Sequence, residues 1–178
     1  MEVGLAGYRR CGHLNLWFGP SRILISRFGS GTLGIMSQPT YDDANLLLRL
    51  YELRREPKMR DARNWFFGNF KCKTMAEYSQ LCPPGSEPNA YFRQVASYWD
   101  MAGSFVNSGV LNAELFFSNS REVLFVWERV KPIISEVRAA YKDPNYLGNL
   151  EKAGKACAEW ISKTSGEEAC KAFTARVG

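Results

Sequence analysis

Few side chains in this chain could carry out chemistry, and histidine is nearly absent. The only histidine among the 178 residues is His13, so residues 36–178 contain none. A serine or cysteine nucleophile in that part would need a lysine or a carboxylate as its base. The Glu-x-x-His pairs of di-iron bundles cannot form there either. We therefore expect no catalytic residue, and a histidine-free enzyme is the least favoured of three functional interpretations.

Residues with metal-binding side chains are also poorly placed for a site. The five cysteines include no Cys-x-x-Cys pair, which argues against a zinc finger. Carboxylates alone can hold Mg²⁺, but Glu52 and Glu56 are a single such pair. Arginines on the same helix can neutralise both of them: Arg49, Arg55 and Arg60. We predict no metal and no cofactor, and we expect reduced, mostly buried thiols.

A basic and aromatic stretch is the strongest candidate for binding. Between residues 54 and 73, arginine and lysine are interleaved with aromatic residues, a composition that can contact phosphates and stack on bases. The candidate contacts for a partner or a phosphate are Arg54, Arg55, Arg60, Phe67, Lys71 and Lys73. In the alternative interpretation, the aromatic residues belong to the core and the charges form a solvated helix face.

Two pairs of adjacent phenylalanines suggest an apolar surface patch. Neighbouring residues on a helix cannot point the same way. We therefore expect one of Phe66 and Phe67 on the surface, together with Phe116 or Phe117. An exposed patch of this kind suits a partner helix.

The charge balance does not indicate a general nucleic-acid binder. The net charge is +5, but four arginines and one glutamate fall in residues 1–35. The remainder is nearly neutral and lacks a broad basic field, so nucleic acid is a possible partner but not a favoured one. No apolar run approaches the roughly 20 residues of a membrane helix, and no secretion signal is evident. We predict a cytoplasmic protein without a membrane span.

The chain changes character at residue 36. Seven of the 15 glycines lie in residues 1–35, where no helical or strand periodicity persists. We expect this segment to be an unstructured leader, or a mis-annotated start if translation begins at Met36. A transit peptide is the functional alternative. Residues 36–178 then form one helical domain.

Helical periodicity runs through residues 36–178, and no strand pattern interrupts it. We predict an all-α fold, a single irregular bundle of five or six helices. The first helix, residues 41–56, presents four leucines to the core: Leu46, Leu47, Leu50 and Leu53. Pro132 is expected to kink a long helix of residues 121–141.

The order of several motifs resembles that of an uncharacterised family. The motifs are Tyr91-Phe92-Arg93, Tyr98-Trp99, Val106-Asn107-Ser108-Gly109-Val110-Leu111, Glu114-Leu115-Phe116 and Val126-Trp127-Glu128-Arg129-Val130-Lys131-Pro132. Within about residues 41–142 the chain resembles bacterial all-helical proteins grouped as domain of unknown function 4760. That resemblance implies an all-helical fold and carries no activity with it.

Together these observations favour binding over catalysis. We predict a cytoplasmic helical protein-interaction or regulatory module without catalytic activity, whose partner is another protein or a second copy of the chain. The alternative is a nucleic-acid or phosphate-ligand binding protein that uses the basic face from Arg54 to Lys73.

Overall fold

A computed structural model of the chain describes residues 38–177. Over that range the chain forms nine α-helices and no strand. The helices are α1 (Tyr41–Arg55), α2 (Pro57–Asn69), α3 (Met75–Leu81), α4 (Glu87–Asn107), α5 (Ala113–Asn119), α6 (Glu122–Val130), α7 (Ile134–Tyr141), α8 (Gly148–Ser165) and α9 (Glu167–Ala175). The all-α prediction is confirmed, with more helices than the expected five or six. The predicted leader, residues 1–35, and the alternative start at Met36 lie outside the described residues.

The longest helix, α4, is the centre of the core, where it packs against α8, α2 and α6. Its buried positions recur at helical spacing and are Phe92, Val95, Ala96, Tyr98, Trp99, Ala102 and Gly103. A Cβ added at Gly103 would lie 2.7 Å from the carbonyl oxygen of Asn149 on α8. A Cβ added at Gly154 of α8 would lie 2.5 Å from the Cβ of Trp127 on α6. The close contacts of α8 with both neighbours therefore depend on glycine.

The expected long helix is broken rather than kinked. Helix α6 ends at Val130 and α7 begins at Ile134, with Pro132 between them. Proline has no backbone N–H to donate to the carbonyl four residues earlier. Instead, the N–H of Ile133 donates to the carbonyl of Val130 at 3.1 Å, which forms a tight turn. This break and the short helices α3, α5 and α9 account for the larger number of elements.

The two pairs of adjacent phenylalanines were each expected to have one exposed member, and the structure differs from this. Phe66 is buried, and Phe67 is half-buried with its ring centroid 4.8 Å from that of Phe125. Phe116 and Phe117 are both buried, so the prediction that one of them is exposed is wrong. The reason is that α5 contacts α1, α4 and α8, and thus has core on more than one side.

Candidate functional site

Helix α1 begins at a polar anchor that also fixes it to α5. The hydroxyl of Thr40 accepts a bond from the N–H of Asp43 at 3.1 Å, and the carboxylate of Asp43 accepts from the Thr40 N–H at 2.8 Å. The same carboxylate accepts from the N–H of Asn112, just before α5, at 2.6 Å. Hydrogen bonds from the hydroxyl of Thr40, its N–H and the N–H of Asn112 lower the pKa of Asp43. Asp43 therefore both caps α1 and positions it.

A second anchor holds the middle of α1. The phenol of Tyr98 on α4 donates to the backbone carbonyl of Leu50 at 2.7 Å. Burial raises the pKa of Tyr98 to about 12, so the phenol keeps its proton and remains a donor at neutral pH. This bond attaches the inner side of α1 directly to the central helix.

The third anchor is an ionic cluster, which we define as Arg54, Arg63 and Glu122. The carboxylate of Glu122 accepts two bonds from the guanidinium of Arg63, at 2.7 and 2.5 Å, and lies 3.7 Å from that of Arg54. The side chains of Arg54, Arg63 and Glu122 are 15%, 22% and 14% exposed. The hydrogen bond to Glu122 raises the pKa of Arg63. Two guanidinium groups and one carboxylate leave the cluster with one net positive charge.

The side of α1 that points away from these anchors carries exposed apolar residues. Tyr41 is 81%, Leu48 59% and Tyr51 45% exposed. Arg55 continues the row, because its guanidinium donates to the hydroxyl of Tyr51 at 2.9 Å and lies over that ring. Tyr41, Leu48 and Arg55 are seven residues apart, the spacing of a coiled-coil seam. We call Tyr41, Leu48, Tyr51 and Arg55 the outer face of α1.

The inner side of α1 contains three of the four leucines expected there and two charged residues that were not expected. Leu50 is buried, and Leu46 and Leu47 are half-buried and pack against the core, beside Asp43 and Arg54. Leu53 is 53% exposed, so its predicted core position is wrong. Two of the five inner residues, Asp43 and Arg54, are charged anchors, and apolar periodicity alone cannot identify such positions.

A cavity of about 240 Å³ lies beside the outer face. Leu48 and Tyr51 line it from α1, and Asn119 and Ser120 line it from the end of α5. Arg54 also contributes to its wall and brings the positive charge of the ionic cluster to it. The cavity can receive an apolar side chain, with an acidic neighbour favoured by the charge.

The six residues predicted as contacts occupy three parts of the chain: Arg54 and Arg55 on α1, Arg60 and Phe67 on α2, and Lys71 and Lys73 in the loop that follows. Arg54 lies in the ionic cluster, and Arg55 lies on the outer face. Arg60, Lys71 and Lys73 are exposed. Lys71 lines a separate depression of about 350 Å³, which does not include the outer face. The structure thus brings one of the six, Arg54, to the cavity beside α1 and places a second, Arg55, on the neighbouring outer face.

Sequence reasoning did not identify Tyr41, Leu48 or Glu122 as site residues. The seven-residue spacing of Tyr41 and Leu48 could have indicated a shared face of the helix. The five leucines of α1 were a second signal, because one buried helix face does not need so many. Glu122 had no local signal, because its partner Arg63 is 59 residues away in the chain.

The described cysteines are free, and they do not form a site. Cys72, Cys82 and Cys157 are buried, as expected, and Cys170 is half-buried. Burial raises the pKa of both Cys82 and Cys157 to about 12, which keeps these thiols protonated and weakly nucleophilic. Among residues 38–177 no group of three or more histidine, cysteine, aspartate or glutamate side chains is arranged to hold a metal ion.

The comparisons with known proteins identify the family. Neither the curated proteins nor the solved structures include a match to this chain. In the described part of the chain, no helix combines the length and apolar character needed to cross a membrane. The family model described as Domain of unknown function (DUF4760) matches residues 39–157, which contain the outer face, the cavity and the ionic cluster. Because this match covers more than half of the chain, the protein belongs to the DUF4760 family.

Proposed function

We propose that this protein is a helical interaction module that binds a protein partner through the outer face of α1. The observation that carries the proposal is the row of exposed apolar side chains on a helix whose opposite side is anchored by polar contacts. Burying one large apolar side chain contributes about 1.5–3 kcal/mol. A partner that covers Leu48 and Tyr51 therefore gains binding energy that folding leaves unused.

The distribution of exposed apolar residues supports this choice of surface. Of the seven large hydrophobic residues exposed in the described part, three lie on the outer face of α1, and Leu53 lies on another side of the same helix. The other three lie apart, Met101 on α4, Val110 in the loop after it and Tyr141 on α7. Single exposed hydrophobic residues are common and need no explanation, whereas a contiguous group is typical of an interaction site.

The groups around the outer face suggest the chemistry of the partner. The cavity beside Leu48 has room for an apolar side chain, and Arg54 and Arg55 favour carboxylates nearby. An amphipathic helix meets both requirements if it has apolar residues at spacings of three and four and acidic residues beside them. A regulatory role would follow if binding of such a helix changes the activity of the partner.

We also propose a cytoplasmic location. Its support is the four free cysteines in residues 38–177, three of them buried. Free thiols at this frequency are typical of a reducing compartment.

The competing proposal is binding of nucleic acid or a phosphate ligand. It is supported by the exposed Lys58, Arg60, Lys71 and Lys73. The ionic cluster weakens it, because Arg54 and Arg63 share the carboxylate of Glu122 and are mostly covered. The exposed cations alone would give a salt-dependent affinity without base recognition.

Capture of partners by the full chain from nuclease-treated host lysate tests the proposed surface. Leu48→Asp places a charge on the outer face, and Val110→Asp is the matched control because Val110 is an equally exposed apolar residue elsewhere (61%). We expect the wild type and Val110→Asp to retain the same proteins, and Leu48→Asp to lose them by about tenfold or more. Equal capture by Leu48→Asp would contradict the proposal.

The nuclease step separates the two proposals. If every partner disappears after nuclease treatment, the phosphate interpretation is favoured. Binding to RNA or DNA should then weaken with salt and weaken further in the double variant Lys71→Ala with Lys73→Ala, which removes two exposed cations.

A further inference from the structure

We infer that the partner on the outer face of α1 is a second copy of this chain, with the two α1 helices antiparallel across a two-fold axis. This inference rests on the proposed function and adds to it the identity and the orientation of the partner. It is argued from the symmetry of the outer face and from the charges at the two ends of the helix.

Tyr41 and Arg55 of the outer face are placed symmetrically about Leu48. Tyr41 lies seven residues before Leu48, and Arg55 lies seven residues after it. A two-fold axis through Leu48 that reverses the helix direction brings the two copies of Leu48 together. It also places each Tyr41 opposite the second copy's Arg55. An interface of this kind uses the same surface twice, as two-fold dimers require.

The paired residues are chemically complementary. Tyr41 is the most exposed of the large apolar residues in residues 38–177, and its ring is an acceptor for a guanidinium. Arg55 already lies over an aromatic ring in the monomer, 5.3 Å from the centroid of Tyr51. In the antiparallel pair, the same guanidinium reaches a second tyrosine ring. Two such contacts form per dimer because of the symmetry.

The charges at the helix ends select the antiparallel orientation. Asp42 in the first turn of α1 and Arg55 in its last turn are exposed, whereas Asp43 and Arg54 are held by the anchors on the inner side. Antiparallel pairing brings the acidic turn of one copy near the basic turn of the other, and it aligns the two helix dipoles favourably. Parallel pairing would instead bring the two copies of Arg55 together.

The size of the surface sets the expected strength. A 15-residue helix is about 22 Å long, and one helix pair buries less than the roughly 800 Å² per partner of a typical stable complex. We therefore expect a reversible dimer rather than a permanent one, with a dissociation constant of roughly micromolar or weaker.

Sedimentation equilibrium of the full chain over a wide range of concentration tests the inference. The wild type and the control Val110→Asp should dimerise, and Leu48→Asp should remain a monomer. Tyr41→Arg sets a new guanidinium opposite the second copy's Arg55, and Arg55→Glu sets a carboxylate near the acidic first turn. Each single variant should weaken dimerisation by about tenfold.

The double variant Tyr41→Arg with Arg55→Glu is the decisive step. In an antiparallel pair of this variant each new guanidinium faces a new carboxylate, whereas a parallel pair would place like charges together. We expect sedimentation equilibrium to show dimerisation restored above the level of either single variant. A double variant that dimerises no better than the single variants would overturn the antiparallel arrangement. Circular dichroism of each variant checks its helical content, and both sites are exposed, so the fold should persist.

The outcomes distinguish this inference from the proposed function. A wild-type chain that stays monomeric at all concentrations overturns the second copy as partner. The proposed function still stands in that case if Leu48→Asp loses a different protein that Val110→Asp retains. If Leu48→Asp and Val110→Asp behave alike in both experiments, the outer face has no binding role and both are overturned.

Discussion

Helices α8 and α1 are attached to the rest of the protein in different ways. Helix α8 packs so closely against α4 and α6 that glycine is required at Gly103 and Gly154. Helix α1 is held by polar contacts of Asp43, Leu50 and the ionic cluster, and its other side is exposed. The difference shows how a small helical protein can keep an apolar surface available. Polar anchors fix the helix without requiring that all its leucines be buried.

The largest effect on stability is expected where α8 packs closely against α6. Gly154→Ala places a methyl group against the Cβ of Trp127, which cannot move without its backbone. We expect a loss of about 3 kcal/mol in the free energy of unfolding, measured by urea denaturation. Gly68→Ala is the control, because Gly68 lies within α2 with open space around it. That variant should be as stable as the wild type or more stable by up to about 1 kcal/mol. Similar stabilities for both variants would remove the contrast between the two helices.

Disrupting the ionic cluster should give the next largest loss of stability. Glu122→Gln leaves the guanidinium groups of Arg54 and Arg63 mostly covered and without a carboxylate. We expect a loss of about 2 kcal/mol in urea denaturation, and hydrogen exchange should speed up in α1 more than in α8. Glu52→Gln is the control, since its ion pair with Arg49 is exposed and should contribute less than about 0.5 kcal/mol. Uniform acceleration of exchange in α1 and α8 would argue against an anchor specific to α1.

Acid should weaken the anchor that Asp43 forms between the start of α1 and Asn112. The pKa of Asp43 is lowered from its ordinary value of 3.8 in the folded protein, so its stabilising effect is fully present above about pH 4. That contribution is lost as the pH falls through the lowered, folded-state pKa. We expect Asp43→Asn to be less stable than the wild type at pH 7, and the gap to narrow below about pH 4. Asp42→Asn, which keeps the bonds of Asp43, is the control. A gap that stays constant down to about pH 2 would show that the carboxylate is not the anchor.

The smallest effect on stability is expected on the outer face itself. Leu48→Ala should change the free energy of unfolding by less than about 0.5 kcal/mol, because Leu48 is mostly exposed. Leu50→Ala, two residues later on the inner side, removes a buried side chain and should cost about 3 kcal/mol. Thermal or urea denaturation of this pair checks the assignment of the two sides. Equal losses would mean that Leu48 is covered within the monomer.

The fold class could be predicted because local signals dominate a helical protein. The capping residue Thr40, Pro57 at the start of α2 and the apolar spacing along α4 all act over a few residues, and the structure contains each of them. The break at Pro132 was only partly anticipated, because sequence does not show whether a helix resumes in the same direction after a proline.

The candidate site was harder to predict because it depends on contacts distant in sequence. Leu53 and Leu48 are equally apolar, and periodicity shows which residues share a side, not which side is buried. The buried side of α1 is fixed by Asn112, Tyr98 and Glu122, all far along the chain. Arg54 and Arg55 were identified from composition, whereas their separate roles in the ionic cluster and on the outer face required the structure.

Photocrosslinking in the native host tests the central claim most directly. A photoreactive amino acid replaces Leu48 in one version of the full chain and Val110 in another, both at exposed apolar positions. If the outer face of α1 is a binding surface, irradiation should give a discrete crosslinked protein from position 48 and not from position 110. A second copy of the chain would appear as a crosslinked dimer. Equal crosslinking from both positions, or none from position 48, would contradict the account.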